Sequence, residues 1–196
     1  MATELHEQRL DAVAGHLLAT GARSVLDLGC GPGELLQRLA AHAQFERIVG
    51  IDLSATALAL AREGLGTSLA RVELRHASFA RADPELAGFE IAALVETIEH
   101  IDPNRLGEVE QAVFGSYRPG KVLVTTPNQE YNVLHGMRQG TLRHPDHRFE
   151  WPRTRFRHWA RRVAERHGYG VYFCDIGEVD PELGASTQMA MFERAA

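Results

Sequence analysis

"SVLDLGCGPGE", residues 24–34, joins a short apolar run to a cluster of three glycines. The apolar run predicts a buried strand, and the leucine spacing from Glu34 onward predicts a helix. Glycine at Gly29, Gly31 and Gly33 lets the backbone turn tightly and approach a ligand closely, because no Cβ is in the way. The stretch therefore predicts a strand, a binding loop and a helix in immediate succession.

Strand patterns alternate with helical patterns through the rest of the chain. Helices are predicted at about residues 4–19, 34–40, 55–63, 103–117 and 152–167, and strands at 24–28, 47–52, 71–74, 89–95, 121–126, 169–173 and 187–192. This alternation is typical of a Rossmann-like α/β fold, with a mostly parallel seven-stranded sheet and helices on both faces. The last two strands leave no room for a crossover helix, so an antiparallel last strand is expected. Ligands of such sheets bind outside the carboxyl ends of the strands.

Length and composition favour one globular domain. A chain of 196 residues can bury a core without disulfides. Cys30 and Cys174 lie far apart and in no metal-binding spacing, which is typical of a reducing, intracellular compartment. No apolar run approaches the roughly 20 residues that a membrane span needs. We therefore expect a cytoplasmic protein without a membrane partner.

The charge of the chain is unevenly distributed. The net charge of −5 argues against a protein that coats nucleic acid. Residues 143–167, however, hold eight arginines against three acidic residues, a balance of +5 that leaves −10 for the rest. This asymmetry permits a local anionic partner, and a solvated helix face is the alternative.

The glycine cluster does not fit a dinucleotide site. In the G-x-G-x-x-G fingerprint the third glycine would fall where this chain has Glu34, and a carboxylate is unfavourable beside a pyrophosphate. Asp27 precedes the glycines and suits a ligand amino group, whereas Asp52 ends the second strand and suits a ribose diol. S-adenosylmethionine has an ammonium group and a ribose but no phosphate. The loop therefore predicts this cofactor, with a purely structural glycine turn as the alternative.

Three potential metal ligands follow the fourth predicted strand. Glu96, Glu99 and His100 stand at i, i+3 and i+4, so one turn of helix would point all three the same way. Two carboxylates and an imidazole that converge repel one another unless a cation lies between them. Such a ligand set suits Mg²⁺, Mn²⁺ or Fe²⁺ better than Zn²⁺. A solvated helix face is the alternative.

A second histidine cluster lies after the fifth predicted strand, within residues 143–151. His147 is a candidate fourth ligand, and the neighbouring Asp146 is predicted to orient its ring. Loop histidines without a role are the alternative.

Four motifs together resemble one family, the Hua-enhancer type of small-RNA 3'-terminal 2'-O-methyltransferases. The resemblance runs from about Ser24 to Phe192. The motifs are Glu96-Thr97-Ile98-Glu99-His100, Thr125-Thr126-Pro127-Asn128-Gln129-Glu130-Tyr131-Asn132, Asp146-His147-Arg148-Phe149-Glu150-Trp151 and Thr187-Gln188-Met189-Ala190-Met191-Phe192.

The resemblance implies a class I methyltransferase fold and an activity. Members methylate the 2'-hydroxyl of the last nucleotide of an RNA with free 2'- and 3'-hydroxyls, using a divalent cation that contacts both. By this resemblance the catalytic, metal-binding set is Glu96, Glu99, His100 and His147. His144 lies where the family varies and is left out of the set. The cofactor contacts implied or argued above are Asp27, Gly29, Gly31, Gly33, Asp52, Leu53, Ala77 and Ser78.

Two positions depart from the family pattern, since Pro152 stands where Thr is usual and Arg155 where Glu is usual. Pro152 is acceptable at the start of a helix, and Arg155 adds positive charge near the presumed RNA path. Bacterial relatives often carry this domain at the end of a longer chain that works with an RNA kinase–phosphatase and ligase. A repair protein of that kind is therefore an expected partner.

Within one domain, we assign residues 1–20 to an N-terminal helix, 21–126 to a cofactor-binding core, and 127–196 to a metal- and RNA-binding segment with the last two strands. Two other functions compete. A metal-independent small-molecule methyltransferase would use Glu96 and His100 as ordinary acid and base, and a non-catalytic adaptor would bind RNA without the cofactor. A dehydrogenase ranks last because of Glu34.

Overall fold

The computed structural model describes residues 4–195, so residues 1–3 of the predicted N-terminal segment and residue 196 lie outside the described part. Its strands are β1 (Ser24–Leu28), β2 (Arg47–Asp52), β3 (Val72–His76), β4 (Ile91–Val95), β5 (Lys121–Pro127), β6 (Tyr169–Asp180) and β7 (Gly184–Arg194). Its α-helices are α1 (Glu4–Ala19), α2 (Glu34–Ala40), α3 (Ala55–Leu65), α4 (Leu106–Glu110) and α5 (Arg153–His167). No helix among residues 4–195 is long and apolar enough to cross a membrane.

The seven strands form one sheet in the order β3-β2-β1-β4-β5-β7-β6. Strands β1 to β5 pair in parallel, and β7 pairs antiparallel with both β5 and β6. The predicted Rossmann-like fold, including the antiparallel last strand, is confirmed. The strand order reverses between β1 and β4, and the carboxyl ends of these strands are where ligands of such sheets bind.

Both faces of the sheet are covered, as predicted. Along β4, Ala92 and Leu94 join the apolar cluster that includes α4 and α5, whereas Ile91 and Ala93 join the cluster that includes α1, α2 and α3. Alternate residues of a strand point to opposite faces, so a near-continuous apolar run is needed when both faces are buried. The sequence of β4 meets that requirement.

The structure differs from the prediction at residues 103–117 and in the last two strands, of which β7 runs from Gly184 to Arg194 and not from 187 to 192. The helix expected over 103–117 is a 3₁₀ turn at Pro103–Arg105, then α4, then a π-helical segment at Gln111–Tyr117, because apolar spacing does not distinguish α-helical from tighter or wider turns. Strand β6 extends to Asp180 with an irregularity between Ile176 and Val179, since it pairs with β7 along most of its length. Only Ile176 is buried among residues 174–180, so no apolar alternation marks this part of the sequence as a strand.

Candidate functional site

The three glycines after β1 serve different purposes. All have positive φ, namely 84° at Gly29, 53° at Gly31 and 81° at Gly33. A Cβ on Gly29 would lie 2.6 Å from Cγ2 of Thr97, and one on Gly33 would lie 2.9 Å from Cβ of Ala61. A Cβ on Gly31 would meet nothing within 4 Å. Gly29 and Gly33 are therefore required for packing, and Gly31 opens onto free space where a ligand can approach the backbone.

Asp52 fastens the glycine loop to the end of β2. Its Oδ2 accepts a hydrogen bond from the Gly31 amide at 2.8 Å, and its Oδ1 accepts one from the Ser54 amide at 2.7 Å. Each carboxylate oxygen can accept more than one hydrogen bond, so both oxygens keep capacity for a ligand hydroxyl.

Asp27 is a buried acid without a partner for one of its oxygens. The residue is 2% exposed, and within residues 4–195 its Oδ2 has no hydrogen-bond partner. Burial raises the pKa of Asp27 to about 7, with a further contribution from the negative charge of Asp52. A carboxylate in such surroundings favours a cation beside it, and a ligand ammonium group would provide one.

Two adjacent cavities lie at the carboxyl ends of β1, β2 and β4. The smaller, of about 200 Å³, is lined by Asp27 and by Arg9 of α1 among others. The larger, of about 400 Å³, is lined by Asp52, Leu53, Phe79, Thr97 and His100 among others. Gly29, Gly31 and Glu96 line both.

The predicted adenine contacts differ from what lines the larger cavity. Phe79 faces it, whereas Ala77 and Ser78 are not among its lining residues. Phe79 is the aromatic residue in the loop after β3, a signal that the sequence already carried. The cofactor roles of Leu53, Ala77 and Ser78 stay predictions.

Glu99, His100 and His147 come together although 47 residues separate the two histidines. One ligand atom from each lies within 4.8 Å of the others. The Arg148 amide donates to the Glu99 carbonyl at 2.7 Å and so ties the 144–151 loop to the turn after β4. Because β4 and β5 are parallel neighbours, their carboxyl ends deliver both segments to one edge of the sheet.

Glu99 has the chemistry of a metal ligand. It is fully buried, and its Oε2 accepts from the Thr126 hydroxyl at 3.0 Å. Within residues 4–195 its Oε1 has no partner. Burial raises the pKa of Glu99 well above its ordinary value, and the nearby Glu96 raises it further. A bound cation would supply the missing partner for Oε1.

The ring of His147 is oriented by Glu150, not by Asp146. Nδ1 of His147 lies 2.6 Å from Oε1 of Glu150, which leaves Nε2 free to face a ligand. The exposed Asp146 side chain instead lies 3.7 Å from the ring of His144, so the prediction for Asp146 is wrong. Glu150 is buried three residues beyond His147, and its carboxylate reaches the ring from the protein interior.

His100 lies against the histidines of the same loop. The centroid of its ring lies 4.9 Å from that of His147 and 6.2 Å from that of His144. Partial burial, and secondly His147, lower the pKa of His100. The neutral form is the one that binds a metal ion.

Glu96 is not in this cluster. Only Ile98–His100 form a helical turn, and Glu96 precedes it with a φ of 49°, so the expectation that one turn points all three residues the same way is wrong. Its carboxylate accepts from Nη1 of Arg9 and from the Thr125 hydroxyl, both at 3.0 Å. Its role as a metal ligand stays a prediction.

A polar network missed by the sequence analysis supports Glu150. Its Oε2 accepts from Nδ2 of Asn132 at 2.6 Å, and its Oε1 also accepts from the Arg143 amide at 2.6 Å. The Arg143 guanidinium donates to Oδ1 of Asn132 and to the Asn128 carbonyl. Arg143 is therefore a structural residue, in contrast to the exposed arginines of α5.

Three of those exposed arginines, Arg155, Arg162 and Arg166, border a groove of about 320 Å³. Arg155 and Arg162 line it with Trp159. Pro103, which lies three residues after His100 in the sequence, and Trp151, which follows Glu150, also line the groove. Arginines of the basic segment thus line one groove at α5, and an anionic partner for this segment stays a prediction.

Comparisons with known proteins show the family of this chain. Residues 25–120 match the profile of a family described as a methyltransferase domain. The small RNA 2'-O-methyltransferase of Gallus gallus is 33% identical over 96% of this chain. The crystal structure of the methyltransferase domain of bacterial CtHen1-C has a TM-score of 0.88 at 42% identity, over 98% of this chain and 100% of that one. The crystal structure of the small RNA methyltransferase HEN1 has a TM-score of 0.90 at 32% identity, over 97% of this chain and 26% of that chain.

The chain spans about half the length of the vertebrate relatives it matches, 53% in the Gallus gallus protein. The similarity to the bacterial domain, in contrast, runs the full length of that chain.

Proposed function

The chain belongs to the family of Hen1-type small RNA 2'-O-methyltransferases, and we propose on this basis that it methylates the 2'-hydroxyl of the 3'-terminal nucleotide of an RNA. S-adenosylmethionine is the proposed methyl donor. A divalent cation, Mn²⁺ or Mg²⁺, is the proposed metal cofactor. The observation that carries the proposal is the position of His100, which belongs to the Glu99–His100–His147 cluster and also lines the cavity of Asp52. A cofactor and a metal ion bound there would adjoin each other.

The residues around the cavities fit the cofactor. Asp27 offers a buried, unpartnered oxygen for the ammonium group, and Gly31 leaves room for close approach. Asp52 lines the larger cavity and keeps acceptor capacity for the ribose hydroxyls. When bound, the cofactor supplies a sulfonium methyl group.

The residues of the cluster fit a divalent cation. Glu99 would bind it through the unpartnered Oε1, and His147 through Nε2, since Glu150 holds Nδ1. A divalent ion bound there would lower the pKa of the ribose hydroxyl that attacks the methyl group. Two imidazoles among the ligands favour Mn²⁺ over Mg²⁺, which prefers oxygen.

The chain's own residues would orient the hydroxyl and select the RNA end. The hydrogen bond of His147 to Glu150 and the packing of the His100 ring against that of His147 would hold the ligand atoms in place before substrate binds. Gathering the hydroxyl and the cofactor in adjoining pockets supplies the orientation that the reaction needs. Only a terminal nucleotide offers both vicinal hydroxyls, so a site that contacts both would reject internal positions.

The groove beside α5 is the proposed path of the RNA upstream of its terminal nucleotide. Arg155 and Arg162 are exposed there and can pair with phosphates, and Trp159 offers an aromatic side chain. An RNA kinase–phosphatase/ligase partner and a cytoplasmic location stay predictions.

The test is methyl transfer from labelled cofactor to three matched RNAs, ending in free 2'- and 3'-hydroxyls, in a 2'-deoxynucleotide or in a 3'-phosphate. We expect methylation of the first RNA alone, its loss in EDTA, and better recovery with Mn²⁺ than with Mg²⁺. Thermal unfolding followed in parallel separates loss of metal from loss of fold. Methylation of RNA that persists in EDTA would refute the role of the metal. Cofactor binding with no methylation of any RNA would favour a small-molecule enzyme, and RNA binding without cofactor binding would favour an adaptor.

A further inference from the structure

A single carboxylate, that of Glu150, closes the loop that carries His147. Its Oε1 accepts from the Arg143 amide at 2.6 Å, and the same oxygen lies 2.6 Å from Nδ1 of His147. The two ends of the loop 143–150 are therefore joined at the oxygen that also holds the candidate ligand. The orientation of the His147 ring thus depends on where this carboxylate is held.

Within residues 4–195 the second oxygen of Glu150 has one hydrogen-bond partner. This oxygen, Oε2, accepts from Nδ2 of Asn132 at 2.6 Å. The Glu150 side chain is 0% exposed, so bulk solvent does not reach it. A buried carboxylate oxygen without a donor is costly, and rotation of the side chain toward another partner would then be favoured. Such a rotation would take Oε1 away from Nδ1 of His147.

Asn132 is itself fixed, so it can hold Glu150 in one position. It is 6% exposed and belongs to the 3₁₀ segment Gln129–His135. Its Oδ1 accepts from Nε of Arg143 at 2.6 Å, and its backbone carbonyl accepts from the Met137 amide at 3.2 Å. A guanidinium only donates and a carboxylate only accepts, so the two neighbours together determine which end of the amide faces Glu150.

We propose that Asn132 is a positioning residue for the divalent cation: it fixes Glu150, and Glu150 in turn holds His147 with Nε2 free to bind the ion. The inference rests on the proposed metal cofactor and extends its support to a residue that lies 18 positions before Glu150. Asn132 is two hydrogen bonds away from the His147 ring. Residues that orient a ligand's partner raise metal affinity, because they remove alternative orientations before the metal binds.

Asn132→Asp tests this role, because the replacement keeps the shape of the side chain and removes its donor. The introduced carboxylate can still accept from Arg143, but it faces the carboxylate of Glu150, and the two repel each other. We expect the Mn²⁺ affinity of the folded variant, measured from the electron paramagnetic resonance signal of unbound Mn²⁺, to fall by about tenfold or more. The affinity for S-adenosylhomocysteine, measured by calorimetry, should stay within about threefold of the wild-type value, because the cofactor loop lies outside this network.

Glu130→Gln is the matched control. Glu130 lies two residues before Asn132 in the same 3₁₀ segment, and its carboxylate pairs with Arg153 at 2.8 Å. The change again exchanges an amide and a carboxylate of equal length, and it removes an ion pair from the segment. We expect the Mn²⁺ affinity of this variant to equal that of the wild type. An equal loss in both variants would overturn the assignment to Asn132.

A double-mutant cycle separates positioning from a general structural role. If Asn132 acts through the His147 ring, Asn132→Asp has no further effect once His147→Ala has removed that ring. We therefore expect Asn132→Asp to change the weak Mn²⁺ affinity of His147→Ala by less than about twofold. A structural role would lower the affinity by the same factor in both backgrounds, and that result would overturn the inference.

If Asn132→Asp does not fold, the wild type decides the question. In the metal-free protein, hydrogen exchange followed by NMR should be slow for the Arg143 backbone amide and for the Asn132 side-chain amide. Both groups donate to a buried carboxylate, so their exchange requires the loop to open. Fast exchange of either group would overturn the inference, because the histidine loop would not be held before the metal binds.

The inference also fails if folded Asn132→Asp binds Mn²⁺ as tightly as the wild type does. That result leaves the proposed function standing, because the wild type still binds the metal. A wild type that binds no Mn²⁺ would instead overturn the proposed metal cofactor, and the two failures are therefore distinguishable.

Discussion

Replacing Asp27 with Asn should raise the stability of the ligand-free protein while weakening cofactor binding. Burial, together with Asp52, raises the pKa of Asp27 from an ordinary value of 3.8 to about 7 in the folded state. The folded protein therefore binds this proton more tightly than the unfolded chain does. The contribution of this carboxyl group to the free energy of unfolding is fully present below about pH 3.8. It decreases as the pH rises and is absent above about pH 7.

The size of the effect follows from the two pKa values. At pH 8 the difference between the two pKa values corresponds to a destabilisation of the folded protein by roughly 4 kcal/mol. Relaxation of the protein around the buried charge lowers this value, so we expect on the order of 2–4 kcal/mol. Asn cannot ionise, so Asp27→Asn escapes this cost. The amide hydrogens of the introduced side chain also need hydrogen-bond partners. Without them the stability of the variant is lowered by an amount that does not depend on pH. The variant's stability relative to the wild type should therefore grow between pH 4 and pH 7 and then level off.

Urea unfolding of both proteins at pH 5, 6, 7 and 8, without ligand, measures this difference. Calorimetry at the same pH values measures the cofactor. Wild-type affinity should fall as the pH drops below about 7, because the ammonium group pairs with the ionised carboxylate. At pH 8, Asp27→Asn should bind the cofactor roughly 10- to 100-fold more weakly than the wild type does. Because Asn does not ionise, the affinity of this variant should not fall as the pH drops below about 7. A stability difference that is flat from pH 5 to 8 would refute the buried-charge argument, and undiminished affinity would refute the ammonium contact.

Four further results are expected. Asp52→Ala should weaken S-adenosylmethionine by about tenfold in calorimetry, since the loop loses an anchor and the ribose an acceptor. The double change of Arg155 and Arg162 to Ala should weaken RNA binding for all sequences and flatten its salt dependence in fluorescence anisotropy, whereas an unchanged salt slope would mean a merely solvated face. His147→Ala should abolish methyl transfer yet bind cofactor normally, and full metal-dependent activity in that variant would remove it from the site. Glu150→Gln should reduce metal affinity by about 10- to 100-fold in an Mn²⁺ titration, because the His147 ring loses its charged anchor.

The α5 variants have a matched control on the same helix. The guanidinium groups of Arg157 and Arg161 lie 5.5 and 5.3 Å from the ring centroid of Phe173, and neither residue lines the groove. Changing both to Ala removes the same charge from the helix. If the groove is the RNA path, this pair should reduce RNA affinity less than the change at Arg155 and Arg162.

The fold was predictable because its signals are local. The apolar run of β1, the glycines that follow and the spacing of α2 lie within 17 consecutive residues, from Ser24 to Ala40. Alternation of strands and helices then requires a mostly parallel sheet. The outer half of β6 was missed because an edge strand in contact with solvent needs few apolar residues, and its length is set by pairing with β7.

The residues that support the site were harder to predict, because their partners are distant in sequence. Asn132 and Glu150 lie 18 residues apart, and Arg9 and Glu96 lie 87 apart. No spacing rule connects such pairs. The structure brings His147 close to Glu99 and His100, as the sequence predicted, and its role as a ligand stays a prediction. The predicted orienting group was wrong, because adjacency favoured Asp146 whereas the buried carboxylate of Glu150 reaches the ring.

The side chains of Glu96 and Glu99 do not converge, although their helical spacing in the sequence predicted that they would. The hydroxyls of Thr125 and Thr126 donate to Glu96 and Glu99 respectively. Consecutive residues of a strand point to opposite faces, so β5 draws the two carboxylates to different sides of the sheet edge. Glu99 thereby joins the histidine loop, and Glu96 turns toward α1. The helical spacing that predicted convergence is overridden by the alternation of the neighbouring strand, and the ion pair with Arg9 is the result of that division.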